Sequence, residues 1–463
     1  MRSNRHRRIR LIMLALVTSA AASTAHATVI AVETFDYAGG TSLIGQSGGY
    51  GWAGPWYITS AGGKNYTPQS IGTACNVATP GSAYGSLDVC GGRGVGVNSG
   101  SEHRAYRDLD LIAAHRPELA GLIDTSGATP RLGADNTTIW IGFIGALNTG
   151  AASISTYGAW HLYDGIDPTN TTDGNKLLHE KILVGDRNQA VVWTVENTRQ
   201  NNPLGLSNNN FNNLHYDASS GPAANTVSTT PALLVVRIDF RPISATQTVG
   251  EERVRVWINP AAIPGADPSA TPASIDTDTP AYGGMFKDFR FDIFQFGSVG
   301  EQMTIDELRI TTTFDELVLP LHPTISQPPH NGWLCGAQSA GLSVTAQGVG
   351  PLSYQWRLTG AAIPGANQAT YTIPTPTLAV AGTYDCVVSS PVASCAQTIS
   401  APATLTWCPA DFDCSGALTV QDVFDFLAAW FASNPRSDVN GSGAATVQDI
   451  FDFLASWFAG CGA

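Results

Sequence analysis

The 463-residue chain carries 24 basic and 37 acidic residues, a formal charge of −13, and its four lysines do not cluster. That balance argues against a nucleic-acid partner, because phosphate contacts need grouped Lys and Arg. At this length two or three domains with separate cores are expected.

The N-terminus sets the expected compartment. Five arginines and no acid precede the apolar run Leu11–Ala22, and Ala25-His26-Ala27 follows: the n-region, h-region and cleavage site of a secretory signal over residues 1–27. Loss of this segment leaves 19 basic against 37 acidic residues. The h-region is too short to span a bilayer, and no later stretch reaches about 18 apolar residues, so no transmembrane segment is expected in the mature chain. A secreted or cell-surface protein is expected. There, eight cysteines read as disulfides before they read as metal or redox centres. Cys75 and Cys90 would close a small Gly- and Ser-rich loop, and no CxxC or Cys/His spacing suggests zinc.

Residues 28–321 are rich in Gly, Thr, Ser and Asn, with short alternating runs and almost no helical periodicity. This predicts a large all-β sandwich. The clearest strands are Thr138–Ile144, Ala159–Tyr163, Leu178–Val184, Ala190–Val195, Leu233–Phe240, Glu252–Ile258 and Met303–Ile310. Trp140, Trp193 and Trp257 sit in such runs and read as core. Trp52 and Trp56 lie in a Gly/Pro-rich loop and are candidate sugar-stacking residues. Glu33-Thr-Phe-Asp-Tyr37 with Gly51-Trp52, the Arg237–Phe240 and Val256–Pro260 pair, and Asp306–Ile310 resemble concanavalin-like, laminin-G-type jelly rolls. The resemblance implies a glycan- or protein-binding sandwich.

Catalysis has little motif support. Jelly-roll hydrolases usually carry their carboxylates as Glu-x-Asp-x-(x)-Glu along one strand, and no Glu-x-Asp occurs here. Asp306 and Glu307 are adjacent, so a regular strand sends them to opposite faces, and Glu33 with Asp36 has a comparable problem. There is no G-x-S-x-G or H-E-x-x-H, and His161, His179 and His215 are scattered.

Pro323, Pro328 and Pro329 punctuate the start of a second module, 322–407. Leu342–Gly348 alternates as a strand. Tyr354-Gln-Trp356 and Ala381-Gly-Thr-Tyr384-Asp-Cys386 resemble the core-tryptophan strand and the tyrosine corner of immunoglobulin-like domains. Val344 stands where that family's first cysteine belongs, so Cys386 is expected to be a buried thiol. Cys335 is then expected to pair with Cys395.

Residues 408–463 contain a unit written twice: Asp411–Ala432 returns as Asp438–Ala459 with sixteen of twenty-two positions identical. Each copy opens with a twelve-residue loop that has oxygen side chains at positions 1, 3, 5, 9 and 12, glycine at position 6, and a carbonyl available at position 7. A hard cation needs six to eight oxygens, and alternate inward-pointing side chains supply them. Asp411, Asp413, Ser415, Ala417, Thr419 and Asp422 form one expected Ca²⁺ site, and Asp438, Asn440, Ser442, Ala444, Thr446 and Asp449 the other. Loop one holds the extra carboxylate and is expected to bind more tightly. The competing reading is an acidic turn at a helix N-terminus.

The D-x-[DN]-x-S-G-x-x-T-x-x-D loops resemble type I dockerins, which implies paired EF-hand geometry and a cohesin-like or cell-surface partner. The repeat offset of 27 and the Phe-rich helices depart from the usual dockerin pattern. Val423, Phe426, Leu427, Trp430 and Phe431, with their counterparts Ile450, Phe453, Leu454, Trp457 and Phe458, are expected to form one buried helix face each. Phe424 and Phe451 fall outside that face and are candidate partner anchors. A Cys408–Cys461 clasp is the leading pairing, with Cys414 competing.

The expectation is a mainly β protein: a jelly roll, an immunoglobulin-like sandwich, then a small α-helical paired EF-hand, dockerin-like module. Its expected role is that of a non-catalytic secreted binding or adhesion protein whose ligand is an extracellular glycan or protein. The alternative is a secreted polysaccharide-degrading enzyme with its active site in the jelly roll.

Overall fold

The computed structural model describes residues 28–57, 75–78, 92–96, 103–127, 129–148, 157–164, 180–187, 193–197, 215–217, 231–242, 252–260, 266–277, 289–299, 302–335, 338–392 and 396–460. The expectations placed on residues 1–27 and on Cys90, His179, Cys395 and Cys461 lie outside these.

Among the described residues, the β-branched and aromatic runs between residues 29 and 311 form two large antiparallel sheets, beside a small two-stranded one of Ile123–Asp124 and Arg131–Leu132. The first has the order Ile275–Asp276, Arg253–Ile258, Ala232–Asp239, Thr138–Asn148, Gln302–Thr311, Arg93–Gly96, Cys75–Ala78, with Val29–Glu33 also pairing to Gln302–Thr311. The second runs His215–Asp217, Thr194–Asn197, Glu180–Arg187, Tyr157–Tyr163, Ile293–Val299, His103–Asp108. Alternation decides which side chains meet between them. Ile139, Ile141, Phe143, Leu234, Val236, Ile238, Val254 and Val256 from one sheet share a single core with Trp160, Leu162, Ile182, Val184, Phe294 and Phe296 from the other. Phe143 packs edge-on against both Trp160 and Trp193 at 5.7 and 5.9 Å.

Trp140 and Trp257 are buried, but on the opposite face of the first sheet. They stack at 5.9 Å, and Phe314 of the helical turn Phe314–Leu317 covers Trp140 at 5.5 Å. A two-sided apolar pattern in these strands therefore reflects one face in the sandwich and one under this turn.

Asp306 and Glu307 depart from simple strand alternation. The ladder slips between Asp306 and Arg309, and Glu307 takes a left-handed φ of 53°. Both carboxylates are buried: Asp306 accepts from the Glu307 N–H at 2.9 Å, and Glu307 from Arg309 at 3.2 Å. Arg309 in turn donates to the Leu317 and Leu319 carbonyls at 3.0 and 2.7 Å, tying the bulge to the chain that leaves the sandwich.

The second core uses Leu342, Val344, Trp356, Tyr384, Cys386, Val388 and Leu405. Trp356 lies opposite Cys386 in the register of Ser353–Leu358 with Gly382–Ser389, and Tyr384 donates its hydroxyl to the Val380 carbonyl at 2.6 Å, the expected corner. Cys386 is a buried free thiol, as expected from Val344, itself buried. Between the two sandwiches, Val32, Leu321, Val349, Val392 and Ala396 form a small apolar cluster of their own.

The C-terminal repeat folds into helices α1 (Val420–Phe431) and α2 (Val447–Ala459) around Cys408, Ala410, Phe412, Phe426 and Phe453. Phe426 and Phe453 stack at 4.1 Å with ring planes 4° apart, and Phe412 meets both edge-on. The expected single apolar face is corrected at one position. Phe431 and Phe458 are 77% and 79% exposed. At 100° per residue, Phe431 falls about 140° round from Phe426 but within about 40° of Val420 and Phe424. Each helix thus carries a buried stripe and a second, exposed one: Val420, Phe424 and Phe431 on α1, Val447, Phe451 and Phe458 on α2.

Candidate metal centre

The two loops share the same backbone-to-side-chain hydrogen bonds at positions 1, 3 and 12. At position 1, Asp411 accepts from the Ser415 and Gly416 N–H groups at 2.9 and 3.0 Å, and Asp438 from Ser442 and Gly443 at 2.9 and 2.7 Å. At position 3, Asp413 accepts from the Ser415 N–H at 2.8 Å and Asn440 from Ser442 at 3.0 Å. At position 12, Asp422 accepts from the Asp413 and Thr419 N–H groups at 3.1 and 2.7 Å, and Asp449 from Asn440 and Thr446 at 3.3 and 2.7 Å. The position-5 hydroxyls, Ser415 and Ser442, each lie 3.2 Å from the position-7 carbonyls of Ala417 and Ala444. Gly416 and Gly443 hold left-handed φ values of 80° and 94° at the turn.

Helix capping accounts for part of this arrangement. Asp422 and Asp449 close capping boxes with Thr419 and Thr446. Capping has no use for positions 1, 3 and 5, which lie before the helix. Asp411, Asp413 and Asp422 nevertheless bring carboxylate oxygens within 4.8 Å of one another. Burial pushes the Asp411 carboxyl up, with Asp422 and Asp413 adding repulsion, while the Gly416 and Ser415 N–H groups oppose both. The hydrogen bonds from Ser415 hold Asp413 low.

Disulfide geometry corrects one expectation. Cys335 pairs with Cys414, Cα atoms 5.7 Å apart, and not with Cys395. The reason is topological: Gly332–Leu334 runs parallel to Ala403–Trp407, and the Cys408 N–H donates to the Leu334 carbonyl at 2.8 Å. The residue after Leu334 is thereby delivered beside loop one. Cys408 is itself disulfide-bonded.

Trp52 and Trp56 belong to a tether: Trp52 is half-buried, and Trp56 is buried too deeply to stack on a sugar. Trp56 is 1% exposed and donates its indole N–H to Glu33 at 2.9 Å, and Trp52 donates to the Val32 carbonyl at 2.9 Å. The buried Arg107 guanidinium sits 5.0 and 5.7 Å from the two rings, pairs with Glu33, and donates to the Gly48 and Gly54 carbonyls at 2.6 and 3.1 Å. A Gly/Pro-rich loop looked open in sequence. It is closed because a buried ion pair gathers its carbonyls. Burial raises Glu33 despite Arg107 and the hydrogen bonds from Trp56, the Phe35 N–H and Tyr37.

Among the described residues, a separate polar cavity of about 660 Å³ opens between Asp124, Ser126, Arg131, Asp135 and Arg290. Its charges pair internally: Arg131 with Asp124 and Asp164, Arg290 with Asp135 and Glu252. His161 is buried on the second sheet, beside Tyr163 at 6.1 Å. Arg131 and Asp124 stand seven residues apart, but the other three pairings join residues 33 to 155 apart, which no local pattern encodes. No described helix is long and apolar enough to cross a membrane.

No protein-family model and no curated protein matches the chain. Similar solved structures include titin domain M7 (21% identity over 19% of this chain and 93% of that one, TM-score 0.16) and tandem Ig repeats of Dlar (15%, 23% and 70%, 0.17). Another is endo-1,3-beta-glucanase from Streptomyces sioyaensis (9%, 62% and 96%, 0.34).

Proposed function

We propose that the two C-terminal loops bind Ca²⁺, and that the chain is a secreted, non-catalytic modular protein. In this reading its sandwich binds an extracellular glycan or protein while the calcium-ordered tail docks onto a partner. One observation carries the calcium reading: oxygens at positions 1, 3 and 12 converge in loop one, and loop two repeats the same hydrogen bonds with Asn440 in place of Asp413. Oxygens around a Ca²⁺ held at 2.3–2.6 Å stand no more than about 5 Å apart, which the 4.8 Å cluster satisfies. Asp411, Asp413, Ser415, Asp422 and the Ala417 carbonyl would hold one ion, and their repeat equivalents the other. The ion's role is structural, because it neutralises like charges that otherwise repel.

The exposed stripes of α1 and α2 support docking, since large apolar side chains grouped along one helix face of a small acidic module mark a partner surface. Glu33, Asp306 and Glu307 are buried and hydrogen-bonded, which supports a non-catalytic sandwich over a polysaccharide-degrading enzyme. Metal analysis of chelator-treated, calcium-dialysed protein tests the first claim: two equivalents are expected, and none would end it. A glycan array run beside reducing-sugar release tests the second, and release would replace the binding reading with the enzyme.

A further inference from the structure

Between Asp413 and Ser415 stands Cys414, with its backbone in the left-handed region at φ 59°. Loop two places Gly441 at the equivalent position, at φ 69°. Glycine adopts this conformation freely, and an L side chain there is sterically penalised. The duplicate loops therefore solve one backbone problem in two ways. Cys414 is held by its bond to Cys335, 79 residues earlier in the chain. Cys335 follows a strand that is hydrogen-bonded to Ala403–Trp407, and Cys408 is bonded to Leu334. Loop one is consequently fixed to the second sandwich at both ends of the segment 408–414. Loop two has no such attachment among the described residues.

Resting on the calcium reading, we infer that the Cys335–Cys414 disulfide is a positioning element that holds loop one in its cation-ready shape. The affinity of loop one then depends on the redox state of this cystine, and that of loop two does not. Reduction by a dithiol breaks the Sγ–Sγ bond and delivers two electrons and two protons, leaving two thiols while the reductant closes its own cyclic disulfide. Residue 414 can then leave the left-handed region, and binding must restore it. By reciprocity, Ca²⁺ in loop one protects this disulfide from reduction by the factor that the disulfide adds to affinity.

The test uses the full chain with the paired substitutions C335S/C414S and C335S/C414G. Calcium titration is expected to show loop one about tenfold weaker in C335S/C414S and loop two within about twofold of wild type. C335S/C414G should regain about fivefold, because glycine removes the left-handed penalty but not the lost tether. Equal loop-one affinity in wild type and C335S/C414S would overturn the inference. A second readout needs no metal: in chelator, the Ser415 and Gly416 amides should exchange with solvent faster in C335S/C414S, and the Ser442 and Gly443 amides should not. Unchanged exchange at Ser415 and Gly416 also overturns it. Failure of wild type to bind calcium would instead defeat the calcium reading and leave the exchange comparison standing. Should the double variants fail to fold, the same exchange ratio is read on folded wild type before and after dithiol treatment, with loop two as internal control.

Discussion

Trp430 on α1 donates its indole N–H to the carbonyl of Thr446 at 2.8 Å, and Trp457 on α2 returns the bond to Thr419 at 3.0 Å. Each helix thus secures position 9 of the opposite loop, around the Phe426–Phe453 stack. Trp430→Phe keeps most of the ring and removes the donor. It is expected to cost about 1 kcal/mol in chemical denaturation and to weaken loop two rather than loop one. A larger effect on loop one would mean that the cross-bond does not transmit between repeats.

The stacked pair predicts a sharper effect. Phe426→Ala removes a fully buried ring from a core of few residues, and such truncations cost about 3–5 kcal/mol. Far-ultraviolet circular dichroism should show loss of the tail's helicity at room temperature, with the tryptophan-rich sandwich core intact by near-ultraviolet bands. Full retention of helicity would show that the helices are held from outside the module.

Much of this module was legible in sequence because a duplication states its own register: the loop positions that carry oxygen side chains, both glycines and the amphipathic helices follow from spacing alone. The cross-bonds from Trp430 and Trp457 were not, since a tryptophan on an apolar stripe reads as core whether or not its N–H finds a carbonyl. Cys414 did carry a signal, standing where the second copy has Gly441, but its partner Cys335 is set by a parallel strand pair that no local pattern encodes. In the large sandwich, alternation located Thr138–Ile144 and Leu233–Phe240. It failed at Asp306–Glu307, where a bulge overrides the period, and at Trp56, where the buried Glu33–Arg107 pair closes a loop of open-looking composition.

Cys386 offers a chemical check on the second sandwich. Burial pushes its thiol up to about 11, so little thiolate exists at pH 8. Iodoacetamide should leave it unmodified in native protein and modify it in denaturant without reductant. Native labelling, or no labelling after denaturation, would contradict a buried free thiol beside Trp356.

Asp239 predicts a pH dependence in the first sandwich. Burial alone would raise it, but hydrogen bonds from Arg255 and Arg237, with Thr138, hold it below the ordinary carboxylate range. A depressed folded value contributes stability above the unfolded pKa of about 3.9 and loses it as pH falls through the folded value. Asp239→Asn should therefore lower the melting temperature at pH 7, and the gap to wild type should close on acidification below about pH 4. A gap that persists unchanged into acid would assign Asp239 a role other than its charge.

The central claim is that two unequal calcium sites organise the tail, and calorimetric titration of the calcium-free full chain tests it most directly. Wild type should show two binding steps. Asp411→Ala should remove the tighter one and Asp438→Ala the weaker, because Asp413 gives loop one a carboxylate where loop two has Asn440. Absence of calcium-binding heat, or steps untouched by either substitution, would contradict the account.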